Sequence, residues 1–146
     1  MRDSRSLPVS LGRVVLLLSV AAMLAAFSVS AQQAPPFKDD PKIPDTPACK
    51  RALEIVDLVN KGDTAAVRAY VMQNLTPEFR AMAPLADFLS TFADYRLNSQ
   101  GYDIRGARAY DPPRPATNAT IIVRNRLTEA WEAAVVDVEE AAPYRI

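Results

Sequence analysis

An α+β domain, three helices followed by an antiparallel sheet, is the fold class this sequence predicts, and two observations predict it. Between about residues 46 and 96 apolar residues recur at i, i+3, i+4 and i+7, the period of a helix with one covered face. After Gly101 the period drops to two, as in strands that alternate a covered and an open side. Helices gathered before strands, rather than alternating with them, point to α+β and not to a parallel α/β sheet.

The first helix is expected from Thr46 or Pro47 to Lys61, with Ala48, Ala52, Ile55, Val56 and Val59 as its stripe and Leu53 and Leu58 widening it. Thr46 is the N-cap, Pro47 fits the first helical position, and Gly62 takes the left-handed residue that ends it. Asp63 or Thr64 caps a second helix whose face is Val67, Tyr70, Val71 and Leu75, and which ends or bends at Pro77. Phe79 and Met82 lie in the connection and are expected to fold back on the core. A third helix begins after Pro84. Leu85, Phe88, Leu89 and Phe92 form its stripe, which reads as core rather than a ligand wall, with Asp87 and Arg96 placed as the helix dipole prefers.

Three strands follow. In the first, Tyr102, Ile104 and Gly106 share a face, and Asp111-Pro112-Pro113-Arg114-Pro115 stops it. The second runs from about Thr117 to Arg126 with Ala119, Ile121 and Val123 on one side. Leu127-Thr128-Glu129-Ala130 makes the hairpin, and Trp131–Val138 returns with Ala134, Val136 and Val138 facing together. Tyr144-Arg145-Ile146 reads as the first half of a further strand, so the last strand is expected to be truncated and the chain to be a piece of a longer protein.

The first 45 residues are of another kind. Arg2, Arg5 and Arg13 precede the apolar run Val14–Phe27, which is short of the roughly 20 residues a membrane-spanning helix needs. With Val29 and Ala31 at minus three and minus one, residues 1–31 have the parts of a secretory signal peptide cut before Gln32. From 32 to 45 prolines 35, 36, 41 and 44 define a linker, expected to be extended and unpaired. The domain proper then covers 46–146.

Composition excludes several chemistries. Lysine plus arginine equals aspartate plus glutamate at 17 each, so no basic field invites nucleic acid. Three of the basic and one of the acidic residues lie in 1–31, leaving 14 against 16. Histidine is absent, which removes the commonest general base and metal ligand. Cys49, the only cysteine, is expected to be a buried small apolar residue. Candidates for acid–base work by type alone are Asp57, Asp94, Asp103 and Asp137, with Tyr70, Tyr95 and Tyr102 as hydroxyl donors. Spacing singles out none, and solvated carboxylates are the simpler reading. Glu139 and Glu140, adjacent on a strand, would face opposite ways and hold no metal together. No catalytic, cofactor-binding or metal-binding residue is therefore assigned.

Asn60-Lys61-Gly62-Asp63, then Ala65-Ala66-Val67-Arg68-Ala69-Tyr70 and Leu75-Thr76-Pro77-Glu78, resembles the helical opening of small exported bacterial domains of the nuclear transport factor 2-like (SnoaL-like, cystatin-like) kind. Trp131, Val136, Val138, Pro143, Arg145 and Ile146 are similar to that family's closing strand and Pro-His-Arg-Ile, with Tyr144 in place of the histidine. The resemblance spans about residues 50–146. It implies a cone-like roll, a secreted accessory or interaction domain without catalysis of its own, and placement ahead of a serine peptidase or β-lactamase-like hydrolase domain. The expected partner is a second copy or that downstream domain, met through the exposed sheet face, with no nucleic acid and no membrane contact once the signal is removed. Two alternatives stand beside it: the front of a longer exported serine hydrolase, and a small-molecule binder or isomerase-like protein using the cone cavity. Mass spectrometry of the protein recovered from the periplasm or medium is expected to find Gln32 at its N-terminus.

Overall fold

The computed structural model describes residues 36–146, so the expected signal segment and the first residues of the linker lie outside the described residues. Among the described residues the fold is α+β, with four helices and a four-stranded antiparallel open sheet. In order these are β1 (Phe37–Asp40), α1 (Pro47–Lys61), α2 (Thr64–Asn74), α3 (Pro77–Arg80), α4 (Leu85–Ser99), β2 (Tyr102–Tyr110), β3 (Asn118–Asn125) and β4 (Trp131–Asp137). The strands lie in the order β1-β2-β3-β4.

The helix ends follow from their caps. Thr46 Oγ1 accepts from the Cys49 N–H at 3.3 Å, and Asp63 Oδ1 accepts from Ala65 and Ala66 at 2.8 and 3.2 Å. Each satisfies donors that the first turn leaves open. Gly62 takes φ of 67° and returns its N–H to the Leu58 carbonyl, closing α1 as glycine allows.

Two apolar clusters form the interior. One joins Ala48, Cys49, Ala52, Val56 and Val59 of α1 to Tyr102, Ala107, Ala119, Ile121, Val123 and Val136 of the sheet. Cys49 is buried there, as a small apolar residue would be. The other joins Leu58 of α1 to Val67, Tyr70, Val71 and Leu75, with Leu85, Phe88, Leu89 and Phe92 of α4 half-buried against it. Thus α1 serves two layers. Its small residues meet the sheet, and Leu58 meets the helices behind.

Several expectations need correction. The segment 32–45 is not unpaired throughout, because Phe37–Asp40 adds an edge strand to β2, with Phe37 opposite Tyr110 and Asp39 opposite Arg108. Prolines 36 and 41 bracket this strand rather than interrupt it, so their missing N–H groups fall outside the ladder. β1 thereby belongs to the same compact unit as the helices and the other strands. Gly106 does not share a face with Tyr102. The register of β2 on β3 shifts between Ile104 and Gly106, an extra residue that turns Ala107 onto the covered face instead. Met82 is 76% exposed and does not fold back, while Phe79 packs beside Phe88 with ring centroids 6.0 Å apart, from a short helix, α3, that period analysis passed over. Glu139 and Glu140 lie beyond the end of β4, and Glu139 pairs with Arg145 at 3.0 Å.

Tyr144-Arg145-Ile146 is not a strand either. Ile146 donates to the Asn74 carbonyl at 2.9 Å and accepts from the Thr76 N–H at 2.7 Å, capping the end of α2. Arg51 donates to the Pro143 and Tyr144 carbonyls at 2.8 and 3.1 Å, holding the same segment against α1.

At Gly106 an added Cβ would stand 2.1 Å from the Asp40 carbonyl oxygen and 2.9 Å from its carbon, so backbone must move. Gly106→Ala is expected to destabilise by about 1–3 kcal/mol in urea denaturation, as overpacking does, and to raise amide exchange in Phe37–Asp40 ahead of β3. Unchanged exchange in β1 would refute the close approach.

Candidate functional site

The inner face of β4 and the helices enclose a cleft of about 310 Å³. Ile55, Val56 and Val59 supply one wall from a single side of α1, at helical spacing. Val123, Ala134 and Val136 supply the opposite wall, and Tyr95, Tyr102 and Glu132 bring polar atoms to it.

Local sequence places each polar group. The Asn60 side chain accepts from the Tyr102 N–H at 2.6 Å and donates to the Tyr102 carbonyl at 3.0 Å. It thereby pairs with β2 much as a neighbouring strand would, and ties the last turn of α1 to the start of β2. Asn125 is buried at the end of β3. Its Oδ1 accepts from the N–H groups of Leu127 and Thr128 at 3.0 and 3.1 Å, folding the hairpin turn. Its Nδ2 donates to Glu132 Oε1 at 2.8 Å, which aims that carboxylate along the cleft wall.

Burial, and then the neighbouring Glu132 charge, push the Tyr102 hydroxyl above its ordinary pKa of about 10. At neutral pH it is a phenol that donates, not a phenolate that attacks. The arrangement suits a small apolar molecule with one polar end, since it offers a donor and an acceptor at one side of a hydrocarbon-lined hollow.

Of the seven candidates by residue type, the structure brings two together here, Tyr95 and Tyr102. Tyr70 lies in the other cluster, donating to the Arg51 carbonyl at 3.4 Å. Asp57 pairs with Lys61 at 2.6 Å, and Asp103 with Arg126 at 2.8 Å and Arg105 at 3.5 Å. Asp94 is exposed on α4, and Asp137 accepts from Asn118 Nδ2 at 2.6 Å. Glu132 was missed. Period two was the signal that could have found it, because Glu132 alternates in step with Ala134 and Val136 and so belongs on the covered face.

Comparison of the chain with family models, with curated proteins and with solved structures finds no match.

Tyr70 and Tyr102 also link stability to alkaline pH. Burial, then the Glu54 charge, hold the Tyr70 hydroxyl well above its usual range, so both phenols ionise less readily folded than unfolded. Their contribution is whole below about pH 10 and is lost as pH rises beyond it, at no more than about 1.4 kcal/mol per pH unit for each phenol. Urea midpoints are expected to hold between pH 8 and about 10 and to fall above it, and Tyr70→Phe to flatten the fall; an equal fall in the variant would refute the assignment.

Proposed function

We propose that this chain is an exported, non-catalytic interaction domain of nuclear transport factor 2-like type, a cone-like roll that meets its partner through the sheet face turned away from the helices. Residues 1–31 are its export signal, and it works in the periplasm or outside the cell.

One observation supports this reading above the others. The register sets Trp131, Ala133 and Val135 of β4 on the face opposite Val136, alongside Arg124, Ile122 and Thr120 of β3. Trp131 is 67% and Val135 57% exposed, although both are of types that lose free energy in water. The same face holds Phe37 and Tyr110, ring centroids 6.3 Å apart, with the Arg108 and Arg114 guanidinium groups over the two rings at 3.8 Å. Ile122 and Thr120 at the centre of this face are buried, at 4% and 3% exposed, so its open parts are the flanks on β4 and on β1–β2. Aromatic and arginine side chains on such exposed flanks are the composition of a protein-binding surface rather than of a solvated one.

The helices-then-sheet order, the seating of α1 across the sheet and the hollow beneath β4 agree with the cone-like fold. A phenol held neutral, and carboxylates committed to arginine or asparagine, agree with a domain that binds rather than reacts.

Sedimentation over a concentration series is expected to show self-association. Trp131→Asp is expected to weaken it about tenfold or more, the effect of removing a central aromatic anchor. A strict monomer at the highest concentrations would count against the reading.

A further inference from the structure

We propose that the free edge of β4 pairs with the same edge of a second copy of this chain, antiparallel and centred on Ala134, joining two four-stranded sheets into one. The proposal rests on the reading of an interaction domain and names its partner and register.

The backbone supplies the argument. At one end of the β3–β4 ladder the Val138 N–H donates to the Thr117 carbonyl, and at the other the Asn125 N–H donates to the Ala130 carbonyl, both at 2.9 Å. Hydrogen-bonded pairs recur at every second residue of an antiparallel ladder. Glu132, Ala134 and Val136 therefore turn their backbone groups toward β3. Trp131, Ala133, Val135 and Asp137 turn theirs outward, to an edge where no strand lies among the described residues.

A two-fold axis at Ala134 uses all of those outward groups. It sets Ala133 against the partner's Val135 and Trp131 against the partner's Asp137, and the symmetry repeats both pairs. Four outward residues in each copy, each giving one N–H and one C=O, then make eight hydrogen bonds. Moving the axis to Ala133 or Val135 leaves an outward residue of each copy facing past the end of the strand.

Side chains and charges fit the same register. Ala133 and the partner's Val135 meet on the outer face, and Ala134 meets the partner's Ala134 on the inner one. Neither acid of β4 faces another acid: Glu132 lies opposite the partner's Val136, and Asp137 opposite the partner's Trp131. Since Trp131 pairs with Arg124, the partner's Asp137 enters a row that already holds a cation. The other edge of the sheet is guarded. β1 has four residues, three of them charged, between Pro36 and Pro41, whereas β4 shows Ala-Ala-Val-Val with charge only toward its ends.

Disulfide trapping in the full chain tests the register, in a Cys49→Ala background. Ala134 and the partner's Ala134 form a pair without hydrogen bonds, Cα atoms about 4.5 Å apart, inside the window of about 4.4–6.8 Å that a disulfide spans. Ala134→Cys oxidised with copper phenanthroline is expected to run as a dimer on a non-reducing gel. Val136→Cys, whose counterpart is displaced by four residues or more than about 13 Å, is expected to stay monomeric. Ala133→Pro removes only an outward N–H, so it should leave the circular dichroism unchanged and abolish trapping at 134. Trapping at 134 no stronger than at 136, or trapping that survives Ala133→Pro, overturns the proposal. If trapping fails while Trp131-dependent association persists in sedimentation, the edge pairing falls and the outer-face reading stands; if no association is found, both fall.

Discussion

Ala48 and Ala52 of α1 and Ile121 of β3 are fully buried in one cluster, and the two alanines bring no side chain beyond a methyl to that contact of helix and sheet. That short approach sets the rest of the structure. Because α1 lies close to the sheet at its N-terminal half and carries Val56 and Val59 further along, the sheet-facing stripe is shallow first and bulky later. The opposite side of α1 presents Leu58 to a second cluster with α2 and α4. One helix thereby supports two layers, and a large residue at either alanine would separate them. The Asn60 clamp on Tyr102 holds the same helix to β2 at its far end, so α1 is fixed in translation as well as in distance.

The two edges of the sheet are built on different principles. β1 is short, and its pairing is reinforced from the side by Asp39, whose carboxylate takes two hydrogen bonds from Arg108 at 2.7 and 3.0 Å and is held below its usual range by them. The Asp40 carbonyl closes over Gly106, a site that only glycine leaves open. β4 has no such reinforcement on its outer side. Its stability comes from β3 and from Val136 and Ala134 on the inner face, while Trp131, Ala133 and Val135 are exposed. A sheet with charge and flanking prolines along one edge strand, and charge only near the ends of the other, leaves the second edge more open to pairing.

The cleft under β4 combines hydrocarbon walls with Tyr102 and Glu132, and its polar groups are positioned by residues that have structural duties. Asn125 folds the hairpin and holds Glu132. Burial and the adjacent carboxylate favour the protonated phenol of Tyr102 and outweigh the Ser99 hydrogen bond that favours its ionised form. Such a hollow offers a hydrocarbon surface with one polar end.

Helix limits were legible because they are local. Thr46, Gly62 and Asp63 act within three or four residues of themselves, and the periods of α1 and α2 reflect burial on a single side, whereas β3 is buried on both faces. The fold class followed from the order of those periods, and the burial of Cys49 from its character as a small apolar residue. What sequence could not supply depends on contacts between distant segments. The pairing of Phe37–Asp40 with β2 needs a neighbour about seventy residues away, invisible in a stretch that composition marks as linker. The shift at Gly106 arises from the approach of Asp40, and the docking of Ile146 from carbonyl and amide groups left open at the end of α2. Glu132 joined Tyr95 and Tyr102 only when the strands were laid side by side, because proximity across a sheet is a property of register, and register is fixed by which face the rest of the chain buries.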